Sequence, residues 1–250
     1  MRFCIPIPCF FPDDNFSDAV RKVKALGFDA VETYKWEGLD LDEAKSVCEE
    51  TGVEFMSMCT TDFRMTEPQY RTQWLDALKK SCEAAQRAGV TRLITQVGSD
   101  TGAPREAQHE SILQALEAGK PILEASGVTA MLEPLNLLVD HKGYYLWSAV
   151  EGFEIVREIN HPNVKLVYDI YHQQIMEGNI IPNIVQNLDC IEHLHCAGHP
   201  GRHELQFGEN DYKVIFAEVE KAGYAGACGL EYKPLMKPEE SLREALRIYG

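Results

Sequence analysis

Eight short apolar runs alternate along the chain with eight longer amphipathic runs, and this alternation limits the possible folds more than any other feature. The apolar runs predict strands at Arg2–Ile7, Ala30–Trp36, Val53–Cys59, Arg92–Val97, Val128–Leu135, Lys165–Ile170, Ile191–Ala197 and Ala227–Tyr232. The amphipathic runs predict helices at Asn15–Leu26, Asp42–Thr51, Pro68–Ala88, Glu106–Ala125, Ser148–Ile159, Ile180–Leu188, Tyr212–Ala222 and Glu239–Tyr249. Strands that alternate with helices pair in parallel, because parallel strands need long crossover connections. Eight such units in 250 residues predict an α/β fold, a (β/α)8 barrel that spans residues 1–250 as a single domain.

Residues at the ends of the predicted helices support these boundaries. Asp13, Asp14 and Asn15 precede the first helix, where a side chain is needed to accept the unpaired backbone N–H groups. Glycines follow five of the helices, as a left-handed residue after the last turn requires: Gly27, Gly52, Gly89, Gly127 and Gly223. A doubly wound open sheet is the alternative architecture, but no GxGxxG sequence follows the first strand to favour it.

The net charge and the cysteines indicate which partners and which compartment to expect. A formal net charge of −15 repels nucleic acid phosphates and anionic membranes, so neither is an expected partner. The eight cysteines form no CxxC pair and are scattered, which indicates a reducing compartment. No apolar run approaches the roughly 18 residues that span a bilayer, and the first residues lack the apolar core of a signal peptide. We therefore expect a cytoplasmic protein.

Each of the last four predicted strands ends in a residue that can bind a metal. These residues are Glu133, Asp169, His195 and Glu231. Any one of them alone could be a salt-bridged or capping residue, since strand ends are polar in general. In a closed barrel, however, the carboxyl ends of consecutive strands meet over one small volume, where active sites form. Three carboxylates gathered there would repel one another without a cation.

The donor types indicate which metal the cluster would hold. Three carboxylates and one imidazole suit a hard or borderline divalent ion, so we predict one Mn²⁺ or Mg²⁺, with Co²⁺ as a further candidate. Zinc is less favoured, because no cluster of thiolates and histidines has the spacing of a zinc site.

Four stretches of the second half of the chain resemble a known family. They are Leu132–His141, Tyr168–Gly178, Pro200–Glu204 and Gly229–Pro234. These stretches resemble the hydroxypyruvate isomerase family, within the xylose-isomerase-like TIM-barrel superfamily of sugar isomerases and epimerases. The resemblance implies that Glu133 and Glu231 are the catalytic acid/base pair. It also implies that Glu133, Asp169, His195 and Glu231 bind the metal.

The residues favour one reaction and leave two alternatives open. A metal held by a carbonyl and a neighbouring hydroxyl acidifies the C–H bond between them, and a carboxylate can then move the proton. The favoured activity interconverts hydroxypyruvate and tartronate semialdehyde, or a related sugar acid. One alternative is a ketose 3-epimerase of the tagatose or psicose type. The other is a metal-binding barrel without turnover. A DNA-repair endonuclease is disfavoured by the acidic balance.

Three further residues near these strand ends have predicted roles. His172, placed in a loop three residues after Asp169, is expected to bind a substrate oxygen, or else the backbone. Arg202 is expected to bind a substrate carboxylate, although an exposed arginine or a pair with Glu204 is equally compatible with the sequence. His193 is expected to be a packed, hydrogen-bonded residue of the barrel and not a ligand. The substrate is expected to be a small molecule, and a homo-oligomer is compatible with this fold.

Overall fold

A computed structural model describes residues Met1–Gly250, and its eight strands form a closed barrel in chain order. The strands are β1 (Arg2–Pro6), β2 (Ala30–Glu32), β3 (Glu54–Cys59), β4 (Arg92–Thr95), β5 (Thr129–Leu132), β6 (Val164–Asp169), β7 (Ile191–Cys196) and β8 (Ala227–Leu230). Every pair is parallel, and β8 closes on β1 with Phe3 opposite Cys228. The predicted (β/α)8 barrel is therefore confirmed. All eight strands lie where they were predicted; β3 ends at Cys59 as predicted, and the other seven end earlier than their apolar runs.

The helices surround the barrel. They are α1 (Ile7–Phe10), α2 (Phe16–Ala25), α3 (Leu41–Thr51), α4 (Arg71–Ala88), α5 (Arg105–Ser126), α6 (Ala149–Ile159), α7 (Ile170–Met176), α8 (Ile180–Val185), α9 (Tyr212–Lys221) and α10 (Pro238–Tyr249). Short 3-10 turns cover Pro68–Tyr70, Leu188–Cys190 and Leu205–Phe207. The eight predicted helices are present, whereas α1 and α7 were not predicted.

Local chemistry fixes several of these boundaries. The Asn15 side chain accepts a hydrogen bond from the backbone N–H of Asp18 and so begins α2, as predicted. Gly52 and Gly89 follow α3 and α4 with φ of 65° and 75°, a left-handed conformation that glycine adopts without steric cost. The start of α2 and the ends of α3 and α4 therefore follow the capping residues of the sequence.

The core has one large part and two small clusters. The larger part, a cluster of 66 buried residues, holds side chains such as Trp74 and Leu78 that pack the helices onto the barrel. A small cluster that includes Ile94, Met131 and Val167 comes from neighbouring strands of the barrel itself. Buried polar side chains from β2, β3, β6 and β7 lie on the same barrel, above all Glu32, Ser57, Asp169, His193 and His195. None of the helices combines the length and apolarity needed to cross a bilayer.

Candidate active site

The strand register brings the four predicted metal ligands to one end of the barrel. Asp169 ends β6 and lies opposite His195 of β7, which in turn lies opposite Gly229 of β8. Glu133 follows the last residue of β5, and Glu231 follows the last residue of β8. Parallel pairing aligns the carboxyl ends of these strands, so all four side chains meet in the same buried region.

The distances between these side chains describe a compact cluster. Nδ1 of His195 lies 3.4 Å from Oε1 of Glu133 and 3.4 Å from Oε2 of Glu231. Donor atoms of Glu133, Asp169, His172 and Glu231 all lie within 4.8 Å of one another. Three of the four predicted residues, Glu133, Asp169 and Glu231, thus form one cluster with His172, and the fourth, His195, contacts two of these carboxylates.

Arg202 lies against this cluster, and its partner is Glu231. Its Nη2 donates to Oε2 of Glu231 at 2.5 Å, and its Nε donates to the carbonyl oxygen of Glu231 at 3.3 Å. The pair with Glu204 that the sequence left open is wrong: the Glu204 carboxylate accepts hydrogen bonds from the backbone N–H groups of Leu235 and Met236. Burial alone would raise the pKa of Glu231, but the charges of Arg202 and His195 outweigh it and hold that pKa well below its usual range.

Asp169 is a carboxylate without a close cation. Its Oδ1 accepts hydrogen bonds from the backbone N–H groups of Tyr171 at 2.7 Å and His172 at 3.3 Å, and so caps α7. Its Oδ2 is buried and has no hydrogen-bond partner. Burial and the nearby charge of Glu231 raise the pKa of Asp169 to about 7. One oxygen of Asp169 therefore anchors the helix, and the other faces the cluster.

His172 lies on α7, so its predicted position in a loop is wrong. Asp169 caps a helix immediately after the strand, which turns the segment that follows into helix. The backbone N–H of Asn136 points at Nδ1 of His172 at 3.2 Å. Because a backbone N–H can only donate, Nδ1 accepts and the proton of the ring sits on Nε2. Burial and the charge of Arg202 hold the pKa of His172 well below its usual range, so the ring is neutral.

The buried donors fit a divalent cation. Oδ2 of Asp169 and Nδ1 of His195 are both buried without hydrogen-bond partners, and buried polar atoms in that state are rare unless they serve a bound group. Carboxylate oxygens and one imidazole nitrogen are a donor set that divalent ions accept. Glu133, Asp169, His195 and Glu231 can therefore hold one metal ion.

Glu32 was missed by the sequence analysis. It is the last residue of β2, it is 1% exposed, and its Oε1 lies 3.1 Å from Nε2 of His195. Its Oε2 lies 3.3 Å from Nε2 of His193, which is fully buried as predicted. Neither ring nitrogen of His193 has a hydrogen-bond partner, so the hydrogen bonding expected of this residue is absent. The signal was present in the sequence: Ala30-Val31-Glu32 is an apolar run that ends in an acid, like the four strand ends already recognised.

A cavity of about 380 Å³ opens over the cluster. Glu133, His172, His195, Arg202 and Glu231 lie in its wall. The rest of the lining comes from the ends of β3 and β4 and from segments after β2, β3, β4 and β5, and it includes Tyr34, Lys35, Trp36, Cys59, Phe63, Gln96 and His141. A space of this size accepts a small molecule and is lined by both apolar and charged groups.

The chain matches the sequence model of a known protein family. The sequence model described as "xylose isomerase-like TIM barrel" matches residues 20–249. The chain belongs to the xylose isomerase-like TIM barrel family. The resemblance noted in the sequence is thereby confirmed.

Two relatives of this chain are isomerases by name. Hydroxypyruvate isomerase of Escherichia coli (strain K12) is 27% identical over 97% of this chain and 97% of its own length. The 2-oxo-tetronate isomerase of Cupriavidus necator is 35% identical over 67% of this chain and 64% of its own length. These relatives identify the protein as an isomerase, as the resemblance implied.

A solved structure shares the whole fold. The crystal structure of AP endonuclease, family 2, from Brucella melitensis covers 100% of this chain and 99% of its own, with a TM-score of 0.93 and 24% identity. At this identity the likeness concerns the barrel architecture alone.

Proposed function

We propose that the protein is a metal-dependent isomerase of small 2-oxo acids that carry a neighbouring hydroxyl group. Its proposed reaction interconverts hydroxypyruvate and tartronate semialdehyde or the equivalent pair of a related sugar acid. The observation that carries this proposal is the cluster of three carboxylates and His195 under a cavity that also holds the cation of Arg202. The names of the two relatives point to the same class of substrate.

Glu133, Asp169, His195 and Glu231 would hold the ion, with Mn²⁺ or Mg²⁺ favoured by the predominance of oxygen donors. When bound, such an ion polarises the carbonyl group of the substrate and acidifies the neighbouring C–H bond. Asp169 suits a role confined to binding the ion, because its other oxygen is already engaged in capping α7.

Glu133 and Glu231 are the proposed acid/base pair. The charge of Arg202 favours the ionised form of Glu231, so its carboxylate can accept a proton from the hydroxymethyl carbon of the substrate. The C–H electron pair becomes the double bond of an enediol, and a proton returned to the adjacent carbon completes the isomerisation. The hydroxyl proton passes to the former carbonyl oxygen in the same exchange. Glu133 lies 3.4 Å from the same Nδ1 of His195 as Glu231 does, and it can deliver or accept the second proton.

Arg202 and His172 are the proposed substrate-binding residues. The hydrogen bonds of Arg202 use Nε and Nη2, which leaves Nη1 for the carboxylate of a substrate in the cavity. His172 is neutral and carries its proton on Nε2, so it can donate a hydrogen bond to a substrate oxygen without adding charge. Both contacts favour an anionic substrate with adjacent oxygen atoms.

The test compares substrates in D2O by proton NMR. Protein loaded with Mn²⁺ for turnover, and with diamagnetic Mg²⁺ for the spectra, is given hydroxypyruvate, 2-oxo-tetronate or a neutral ketohexose. A parallel sample is stripped with chelator. We expect metal-dependent deuterium incorporation and product formation with the two acids, and little with the ketose.

Two outcomes would contradict the proposal. Exchange at C3 of the ketose but not with either acid would favour a 3-epimerase. Equal turnover by the stripped and loaded samples would remove the metal from the mechanism. The variant Glu218→Gln, on the outer helix α9, serves as a matched control for loss of a carboxylate outside the cavity.

A further inference from the structure

Glu32 and His195 form a buried contact below the cavity. Oε1 of Glu32 lies 3.1 Å from Nε2 of His195, and both side chains are 1% exposed. The other oxygen of Glu32 accepts a hydrogen bond from the Ser57 hydroxyl at 2.8 Å. It also lies 3.3 Å from Nε2 of His193. Glu32 does not line the cavity, so it can affect the cavity only through a residue that does.

The two ring nitrogens of His195 have different surroundings. Nε2 faces Glu32 at 3.1 Å, whereas Nδ1 faces the oxygens of Glu133 and Glu231. An imidazole that binds a metal carries a proton on one nitrogen and a lone pair on the other. The charge of Glu32 attracts a proton to Nε2 and would repel a lone pair there. The nitrogen that remains available to an ion is therefore Nδ1, on the side of the proposed ligands.

Gly229 has no side chain, and the contact between Glu32 and His195 occupies the space where one would lie. A Cβ atom added to Gly229 would lie 2.5 Å from Oε1 of Glu32 and 2.6 Å from Cδ2 of His195. Real Cβ atoms essentially never approach other heavy atoms closer than 3.0 Å, so any larger residue would push the carboxylate and the ring apart. The strand that carries Gly229 also leads directly into Glu231. The contact thus depends on three strands at once.

We propose that Glu32 is a positioning residue that fixes the orientation of His195, so that Nδ1 faces the metal ion, and that Gly229 is required for this contact. The inference rests on the proposed metal site and deepens it. It assigns to Glu32 a role that none of the four ligands can fill, because each of them would contact the ion directly.

The test measures the affinity of the purified full-length protein for Mn²⁺ by calorimetry. We expect Glu32→Gln to weaken Mn²⁺ binding on the order of tenfold to a hundredfold, as loss of a carboxylate behind a metal-binding histidine does elsewhere. Gly229→Ala should weaken it to a similar extent. Ser57→Ala is the matched control: it removes a hydrogen bond to the same carboxylate but leaves the His195 contact, and should change the affinity less than about threefold.

A double-mutant cycle separates positioning from general damage to the barrel. In a His195→Ala background, Glu32→Gln should have no further effect on Mn²⁺ affinity, because its effect passes through His195. An equal loss in both backgrounds would overturn the proposal. Thermal unfolding of the metal-free variants checks folding, and if Glu32→Gln fails to fold, Glu32→Asp and Gly229→Ala give the same comparison.

Three further results would overturn the role of Glu32, and they differ in whether the proposed function also falls. Tight binding to both wild type and Glu32→Gln leaves the proposed function standing and removes the role of Glu32. Two ions per chain, one of which is lost in Glu32→Gln, would instead put a metal at Cys4, Glu32 and His193, whose donor atoms lie within 4.8 Å of one another. No binding of Mn²⁺, Mg²⁺ or Co²⁺ to wild type would overturn the proposed function as well.

Discussion

Arg202 and Glu231 form a nearly buried ion pair, with Nη2 of the guanidinium 2.5 Å from Oε2 of the carboxylate and the side chains 17% and 12% exposed. The guanidinium also lies over the ring of Tyr171, 5.1 Å from its centroid. This pair explains why two carboxylates of one cluster differ. Glu231 has a cation in contact and a lowered pKa, whereas Asp169 has none and a raised pKa. Glu231 is therefore the carboxylate that stays ionised before any ion binds.

We predict that Arg202→Lys lowers kcat/KM for hydroxypyruvate about tenfold to a hundredfold. The three N–H donors of an ammonium group share one nitrogen, so lysine cannot reach both Glu231 and the substrate as the planar guanidinium does. A charge-assisted hydrogen bond contributes about 1.5–3 kcal/mol. Steady-state kinetics measure the loss. Arg157→Lys is the control, because Arg157 is half-exposed on α6 and should keep wild-type kinetics. Unchanged kcat/KM in Arg202→Lys would exclude Arg202 from substrate binding.

We predict that Glu133→Gln and Glu231→Gln each slow deuterium exchange into the substrate by about 10²–10⁴-fold. An amide has nearly the same shape as a carboxylate but cannot accept a proton, and general acid/base catalysis contributes a factor of this size. Exchange in D2O is followed by NMR at saturating metal and substrate, so that weaker binding is compensated. If one of these variants keeps the exchange rate within threefold of wild type, the glutamate it replaces is not an acid/base residue. That glutamate would then serve only as a metal ligand.

The sequence predicted the four strand-end residues because burying a charge late in an apolar run requires a partner. Glu32 carries the same signal but was read as lying inside a strand, since the apolar run continues to Trp36 while β2 ends at Glu32. Strand ends depend on where hydrogen bonding with the neighbouring strands stops, which the residues of one strand do not determine.

His172 and Arg202 mark the limit of the sequence-based prediction for a different reason. Asp169 was recognised as a ligand, but its second oxygen also caps a helix, and that double use of one side chain moved His172 from a loop to α7. Arg202 and Glu231 are 29 residues apart, so their contact depends on the path of the connecting segment. Residue type predicted which groups could act, whereas loop geometry determined which of them meet.

We predict that metal binding releases protons and strengthens as the pH rises. In the metal-free protein Asp169 has a pKa of about 7. Burial alone would lower the pKa of His195, but the carboxylates of Glu32 and Glu231 outweigh it and raise that pKa well above its usual range. Both groups must lose a proton to bind an ion, so a higher pH favours the metal-bound state. Affinity should rise by up to about a hundredfold per pH unit below the pKa of Asp169, and by about tenfold per unit above it.

Calorimetry in two buffers of different ionisation enthalpy measures the protons released per ion. We expect a number near two at about pH 6 that falls towards one at about pH 8, as Asp169 becomes ionised in the metal-free protein. In Asp169→Asn the component with a midpoint near 7 should disappear, while the contribution of His195 remains. Affinity that is independent of pH over this range would contradict the assignment of both residues as ligands.

We predict that Gly98→Ala lowers the melting temperature far more than Gly102→Ala. Both glycines have positive φ, 111° and 76°, so alanine is strained at either position. A Cβ on Gly98 would also lie 2.2 Å from the carbonyl oxygen of Phe63, whereas a Cβ on Gly102 has nothing within 4 Å. Strain alone costs about 1 kcal/mol, and strain with a backbone clash about 3 kcal/mol. For a chain of this length we expect the melting temperature to fall by about 2–4 °C in Gly102→Ala and by about 6–12 °C in Gly98→Ala, measured by calorimetry.

Phe63 lines the cavity, so Gly98→Ala should also raise KM. Equal melting temperatures for the two variants would show that the Phe63 segment moves freely and would contradict this prediction.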